Sequence, residues 1–297
     1  MHILVFGAGS LGSLLGGLLA RAHDVTLVGR EPHVSAVERA GLRVRGEIEA
    51  TVTPTARTDL PASARYDLAV VAVKAGDTEE AADALAGCDL DACLSVQNGM
   101  GNEATLAQRL DCPVLAGTCT YGARRSGPGE VECTGIGEVV LGPREGGESA
   151  LADRVGAAFV EGGIETTVAE DMPARLWEKL AVNAAINATT ALARVPNGAL
   201  VDGPARTVAE RAARETAAVA RARGVDLSGD DAAAAALGVA AETARNTSSM
   251  RQDVEAGRET EIDAINGYVV EQAGEAVEVP VNETLTALVR AWEADGR

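Results

Sequence analysis

The sequence predicts an α/β domain built on a mainly parallel, doubly wound sheet, followed by a second domain made of helices alone. Three observations point there. Strand-like and helix-like segments alternate over the first half of the 297-residue chain, as they do when crossover helices link parallel strands. A glycine-rich turn joins the first strand-like run to the first helix-like run. From Asp171 onward almost every segment has helical composition.

Each element has its own reason. Residues 2–6 (HILVF) are a short apolar run ending in glycines, and residues 11–21 combine apolar and small residues as a packed helix does. Residues 25–28 (VTLV) read as the second strand and 42–53 as a hairpin-like stretch. Residues 66–74 (YDLAVVAVK) read as one long buried strand, 77–86 as a helix and 93–96 as another strand. Strands are expected near 114–120, 130–134 and 138–141. In the second half a helix spans 172–191, with Pro173 in its first turn, where a missing N–H costs little. Further helices are expected at 204–223, closed by Gly224, at 231–245, at 250–274 with a break at Gly257, and at 282–293. The expected domains are therefore residues 1–170 and 171–297.

Composition excludes several classes. The longest apolar stretch, residues 11–20, is far short of a membrane span. Met1-His2 leads straight into a strand, without the basic start of a secretory signal. A formal charge of −18 repels nucleic acid. None of the five cysteines forms C-x-x-C, so no metal site is expected, and free thiols suit a reducing cytoplasm. The 26 basic residues include only two lysines, Lys74 and Lys179. An acidic, lysine-poor chain resembles halophilic proteins, which speaks to environment and not to chemistry.

Gly7-Ala8-Gly9-Ser10-Leu11-Gly12 matches G-x-G-x-x-G between strand and helix. The first glycine permits the turn, the second lets a pyrophosphate approach, and the third lets helix and strand pack. The phosphates then meet a helix N-terminus. This predicts a Rossmann-like nucleotide-binding domain. At the end of the second strand, Arg30 suits the 2′-phosphate of NADPH, while Glu31 leaves NADH as an alternative.

Reduction of a carbonyl needs a general acid. All three histidines fall within the first 33 residues, so the helical half must supply Lys, Tyr or a carboxyl. Lys179 and Tyr268 are candidates, with Glu170, Glu178 and Glu261. Lys179, Asn183 and Asn187 are spaced by four and fall along one side of a helix. They are poor choices for a buried structural stripe and good ones for a polar anion. Where basic positions are otherwise arginine, a retained lysine suggests a group that must titrate. Lys74 ends a buried strand, at the sheet edge where ligands bind. Gln97-Asn98-Gly99 is either a plain turn or a means of aiming the Asn98 amide at a nicotinamide. Ser248 and Ser249 either cap a helix or offer hydroxyls to a carboxylate at its N-terminus.

These residues resemble the ketopantoate reductase family. The glycine loop, Val73-Lys74, Gln97-Asn98-Gly99, Trp177-x-Lys179-Leu-x-x-Asn183, Asn246-Thr-Ser-Ser249-Met-x-Gln-Asp253, Thr260-Glu261-Ile-Asp263 and Ile265-Asn266-Gly267 carry the likeness in order. The resemblance implies NADPH-dependent reduction of 2-dehydropantoate to (R)-pantoate, toward pantothenate and coenzyme A. It implies Lys179 as general acid and Glu261 as partner of the substrate hydroxyl. Asn183, Asn187, Asn197 and Ser249 would hold substrate, Lys74 and Asn98 would lie near both the nicotinamide and the substrate, and Arg30 would meet the 2′-phosphate. The expected partner is a small-molecule substrate, with a homodimer left open. A reductase of another 2-oxo acid and a non-catalytic nucleotide sensor are the competing readings.

Overall fold

The computed structural model describes residues 1–61 and 63–295. They form two compact units, 1–97 with 102–172, and 98–101 with 173–295. The four-residue excursion 98–101 into the helical unit has no sequence signal.

In the first unit the strands are β1 His2–Phe6, β2 Asp24–Val28, β3 Leu42–Gly46, β4 Ala50–Val52, β5 Thr55–Arg57, β6 Arg65–Tyr66, β7 Leu68–Val71, β8 Asp89–Leu90, β9 Cys93–Ser95, β10 Val114–Cys119, β11 Gly122–Gly127, β12 Glu130–Gly135, β13 Val139–Pro143 and β14 Thr166–Val168. Its helices are α1 Ser10–Leu19, α2 His33–Ala40, α3 Thr78–Leu85, α4 Asn102–Arg109 and α5 Ala150–Glu161. The main sheet has eight strands in the order β14-β13-β10-β9-β7-β1-β2-β5. All neighbours run parallel except β10 and β13. The order reverses at β1, with β2 on one side and β7 on the other. That switch point is where open α/β sheets bind ligands, outside the carboxyl ends of the strands.

Alternation along β1 explains the layers. Ile3 and Val5 join the core that contains Leu14 and Leu18 of α1 and Phe159 of α5. Leu4 joins the opposite core, with Leu85 of α3 and Leu106 of α4. Both sheet faces are thus covered, as a parallel sheet requires. The 42–53 hairpin does form, as β3 and β4, but in a second sheet of order β11-β12-β3-β4. The 66–74 run is not one strand. Asp67 accepts from the His2 amide at 2.7 Å and splits it into β6, which pairs with β8, and β7. Lys74 therefore lies three residues past β7, opening the 3-10 turn Ala75–Asp77. In this unit sequence patterning overlooked β5, β8, β11, β14, α2, α4 and α5, most of which are short or partly exposed.

The helical unit contains α6 Met172–Ala193 (Met172 itself closes the first unit), α7 Ala199–Asp202, α8 Arg206–Ala222, α9 Gly229–Glu242, α10 Ser249–Glu255, α11 Asn266–Ala273 and α12 Pro280–Asp295. Its core is rich in alanine: Ala181, Ala185, Ala209, Ala213, Ala217 and Ala236 are all buried together. Small side chains let helices approach closely, which suits a chain with 2% aromatic residues. The expected 250–274 helix is broken into α10 and α11. Gly257 takes a φ of +62°, and the Arg258 guanidinium bonds the Asp253 carboxylate at 3.0 Å across the break. Among the described residues no helix is long and apolar enough to cross a membrane.

Candidate active site

In the first unit the candidate nucleotide-binding region is made of backbone. Gly7 has a φ of +108°, and a Cβ there would fall 2.7 Å from a Val73 methyl. A Cβ on Gly12 would collide with the Gly7 carbonyl oxygen. Gly9 is different: it is exposed, and a Cβ on it would meet nothing within 4 Å. Fold packing thus demands glycine at positions 7 and 12 but not at 9. The open space at Gly9, with the N-terminus of α1 bearing no side-chain cap, fits a pyrophosphate received by backbone N–H groups. Ala8 and Leu11 pack in the core around this turn, and the Ser10 hydroxyl accepts from the Arg125 amide at 3.0 Å.

Beside the loop, Arg30 is exposed and reaches the Asp77 carboxylate at 3.4 Å. Glu31 turns the other way. Its carboxylate accepts from the Ser35 hydroxyl at 2.7 Å and the Ser35 amide at 3.3 Å. Half-buried Lys74 sits beyond the end of β7, at the same strand edge as the glycine loop. His33 is a buried structural group. The Gly129 amide donates to its Nδ1 at 3.1 Å, and its Nε2 shares a hydrogen bond with Ser13 Oγ at 3.1 Å. Burial first, then the Arg125 charge, hold its pKa below the usual value of 6.5.

The candidate residues of the helical unit are side chains. Along α6, Lys179 and Asn183 are half-buried and Asn187 is buried. The Nδ2 of Asn183 is itself buried and has no hydrogen-bond partner. Thr190 extends the stripe, and its hydroxyl meets that of Ser248 at 2.7 Å. Ser248 also caps α10 by accepting from the Arg251 amide at 3.2 Å. Ser249, the expected substrate ligand, is exposed in the first turn of that helix. Thr190 lies three residues past Asn187, so a search that allowed i+3 as well as i+4 neighbours on the helix would have found it. Asn197 is buried; its Nδ2 donates to Thr243 Oγ1 at 2.9 Å, and its Oδ1 is left without a partner.

Glu261 lies in the break between α10 and α11, and its neighbours explain how it is held. Thr260 bonds the Glu293 carboxylate of α12 through both its amide and its hydroxyl, each at 2.8 Å. Asp263 takes the Arg290 guanidinium of α12 at 2.7 Å. Glu261 therefore sits between two anchors. The same turn receives Asn98: the Met100 amide donates to the Ala264 carbonyl at 3.1 Å, and the Ile265 amide to that of Glu261 at 3.1 Å. Within the helical unit the structure thus brings the turns of Asn98 and Glu261 together.

The remaining candidates lie elsewhere or pack against other protein groups. The Tyr268 ring pairs with Trp177 at 6.0 Å. Glu178 is exposed, and Glu170 lies in the first unit. Asn266 donates to Asn282 Oδ1 at 2.9 Å and to the Ala184 carbonyl at 3.0 Å. Asn282 in turn donates to Glu215, whose carboxylate also accepts the Val281 and Asn282 amides at 3.0 Å each. This joint caps α12 and ties it to α8, α11 and α6.

Comparison with known proteins places the chain in a family. The family model "Ketopantoate reductase PanE/ApbA" matches residues 3–146, and its C-terminal companion matches residues 171–293. A 2-dehydropantoate 2-reductase of Halobacterium salinarum is 46% identical over the full length of both chains. The crystal structure of a PanE/ApbA family ketopantoate reductase from Ralstonia eutropha JMP134 superposes with a TM-score of 0.92 at 36% identity, covering 100% of this chain and 99% of that one. A D-mandelate dehydrogenase solved with NADH and anilino(oxo)acetate superposes with a TM-score of 0.93 at 25% identity, with the same coverage. The chain belongs to the ketopantoate reductase family.

Proposed function

We propose that this protein reduces the C2 ketone of 2-dehydropantoate to (R)-pantoate with NADPH, in the cytoplasm. The observation that carries the reading is the α6 stripe of one amine and two carboxamides, with Asn183 Nδ2 buried and unpartnered. A donor left open inside a fold is costly unless a ligand supplies the acceptor. A 2-oxo acid is a small anion whose carboxylate and carbonyl oxygens are acceptors.

The nicotinamide, when bound, supplies the hydride that reduces the ketone carbon. Lys179 donates a proton from Nζ to the oxygen that becomes the hydroxyl. An ammonium group has a proton to give, whereas a guanidinium holds its own too tightly. Asn183, Asn187 and Ser249 hold the carboxylate end. Asn197 Oδ1 is an open acceptor, so with Glu261 it takes the hydroxyl end. The glycine loop receives the pyrophosphate, Arg30 the 2′-phosphate, and Lys74 and Asn98 flank the nicotinamide. The turning away of Glu31 supports NADPH over NADH.

The likeness to D-mandelate dehydrogenase favours one second reading, a reductase of a different 2-oxo acid. Loss of reduced-nicotinamide absorbance at high salt separates the two. 2-Dehydropantoate is expected to be turned over with a higher kcat/KM than 2-oxoisovalerate or phenylglyoxylate, and NADPH to outperform NADH. A preference for either of the other acids would overturn the substrate assignment.

A further inference from the structure

Arg30 stands between two acids, and each acid is engaged. Asp77 pairs with Arg30 itself at 3.4 Å. Glu31, the next residue, is drawn onto the first turn of α2 by both the amide and the hydroxyl of Ser35. The local sequence explains why that turn wants a carboxylate. The residue at the helix boundary is Pro32, which has no side chain able to cap, and α2 has no side-chain cap of its own. Glu31 fills that role from one position earlier, where negative charge also suits the helix dipole. An acid at the end of the second strand would otherwise bind the ribose 2′-hydroxyl of NADH and repel a 2′-phosphate.

We propose that Ser35 is a positioning residue that sets cofactor preference: by holding the Glu31 carboxylate on α2, it leaves Arg30 to meet the ribose 2′ position. The inference rests on the nicotinamide reading above. It also accounts for a reductase keeping a glutamate beside the arginine that must receive a phosphate.

The test measures dissociation constants for NADPH and NADH by fluorescence titration at fixed salt. The proteins are the full-length wild type, Ser35→Ala, Ser35→Thr, Glu31→Gln and the Ser35→Ala/Glu31→Gln double variant. Ser35→Ala is expected to lower the preference for NADPH about five- to tenfold, the scale of one ordinary solvent-exposed hydrogen bond. Ser35→Thr keeps the hydroxyl and the wild-type ratio. In the Glu31→Gln background, Ser35→Ala leaves the ratio unchanged, because no carboxylate remains to be released. An unchanged ratio in Ser35→Ala, an equal loss for both nucleotides, or the same shift without Glu31 would each overturn the inference. A wild type that binds NADPH while the ratio stays fixed defeats only the role of Ser35. A wild type that binds neither nucleotide defeats the nicotinamide reading, and this inference with it.

Discussion

The two candidate regions, one in each unit, are built from different materials. At the glycine loop the candidate parts are backbone N–H groups and missing side chains: Gly9 has open space beside it, and α1 has no side-chain cap. In the helical unit the working parts are side chains, with Lys179 and Asn183 on α6, Asn197 before α7, and Glu261 in the break after α10. A backbone site is local, and at Gly7 and Gly12 it admits no side chain without losing its shape. A side-chain site is assembled from distant segments, and each member is replaceable without refolding the rest. Substitutions in the first half should therefore act on nucleotide affinity, and those in the second on turnover.

Lys179→Ala should show this contrast most strongly. Its kcat is expected to fall at least ~100-fold, the scale of losing a general acid, while NADPH affinity stays at the wild-type level in a fluorescence titration. A large loss of NADPH affinity would blur the division. Asn282→Ala probes the buried amides of the same unit that face other protein groups. Removing the Asn282 contacts to Glu215 and Asn266 should cost about 1–3 kcal/mol in urea unfolding, with kcat per folded molecule unchanged. Gly9→Ala sharpens the backbone side. Folding stability should stay within about 0.5 kcal/mol, as at a site with no neighbours, while NADPH binding weakens about tenfold, by the loss of one good contact.

The smallest effect is expected from pH. Because the folded His33 pKa lies below 6.5, the unfolded chain takes up a proton before the folded one does. The stability tied to neutral His33 is thus complete above that value and declines as pH falls through it. Chemical denaturation across this range should show the decline in the wild type and less of it in His33→Gln.

The glycine loop was legible because three glycines at fixed spacing, set between a strand and a helix, serve few purposes besides receiving a nucleotide. The α6 stripe was legible because residues four apart share a helix face, and because only two lysines survive among 26 basic residues. That arginine-rich, acidic surface is of the halophilic kind, in keeping with the Halobacterium relative. Other features depend on partners remote in sequence. Nothing near Thr260 or Asp263 announces Glu293 and Arg290 on α12 as their anchors. Tertiary partners likewise separate Asn266, committed to a structural joint, from Asn183, whose Nδ2 is open. Ser35 escaped notice because its role depends on which way Glu31 turns.

Proton donation by Lys179 is tested most directly by the kcat of Lys179→Arg at neutral pH. Arginine keeps the positive charge but gives up its proton far less readily. Turnover at least ~100-fold below wild type, as poor as in the alanine variant, is the predicted result for a general acid. Near-normal turnover would contradict it, because charge alone would then be what the position requires.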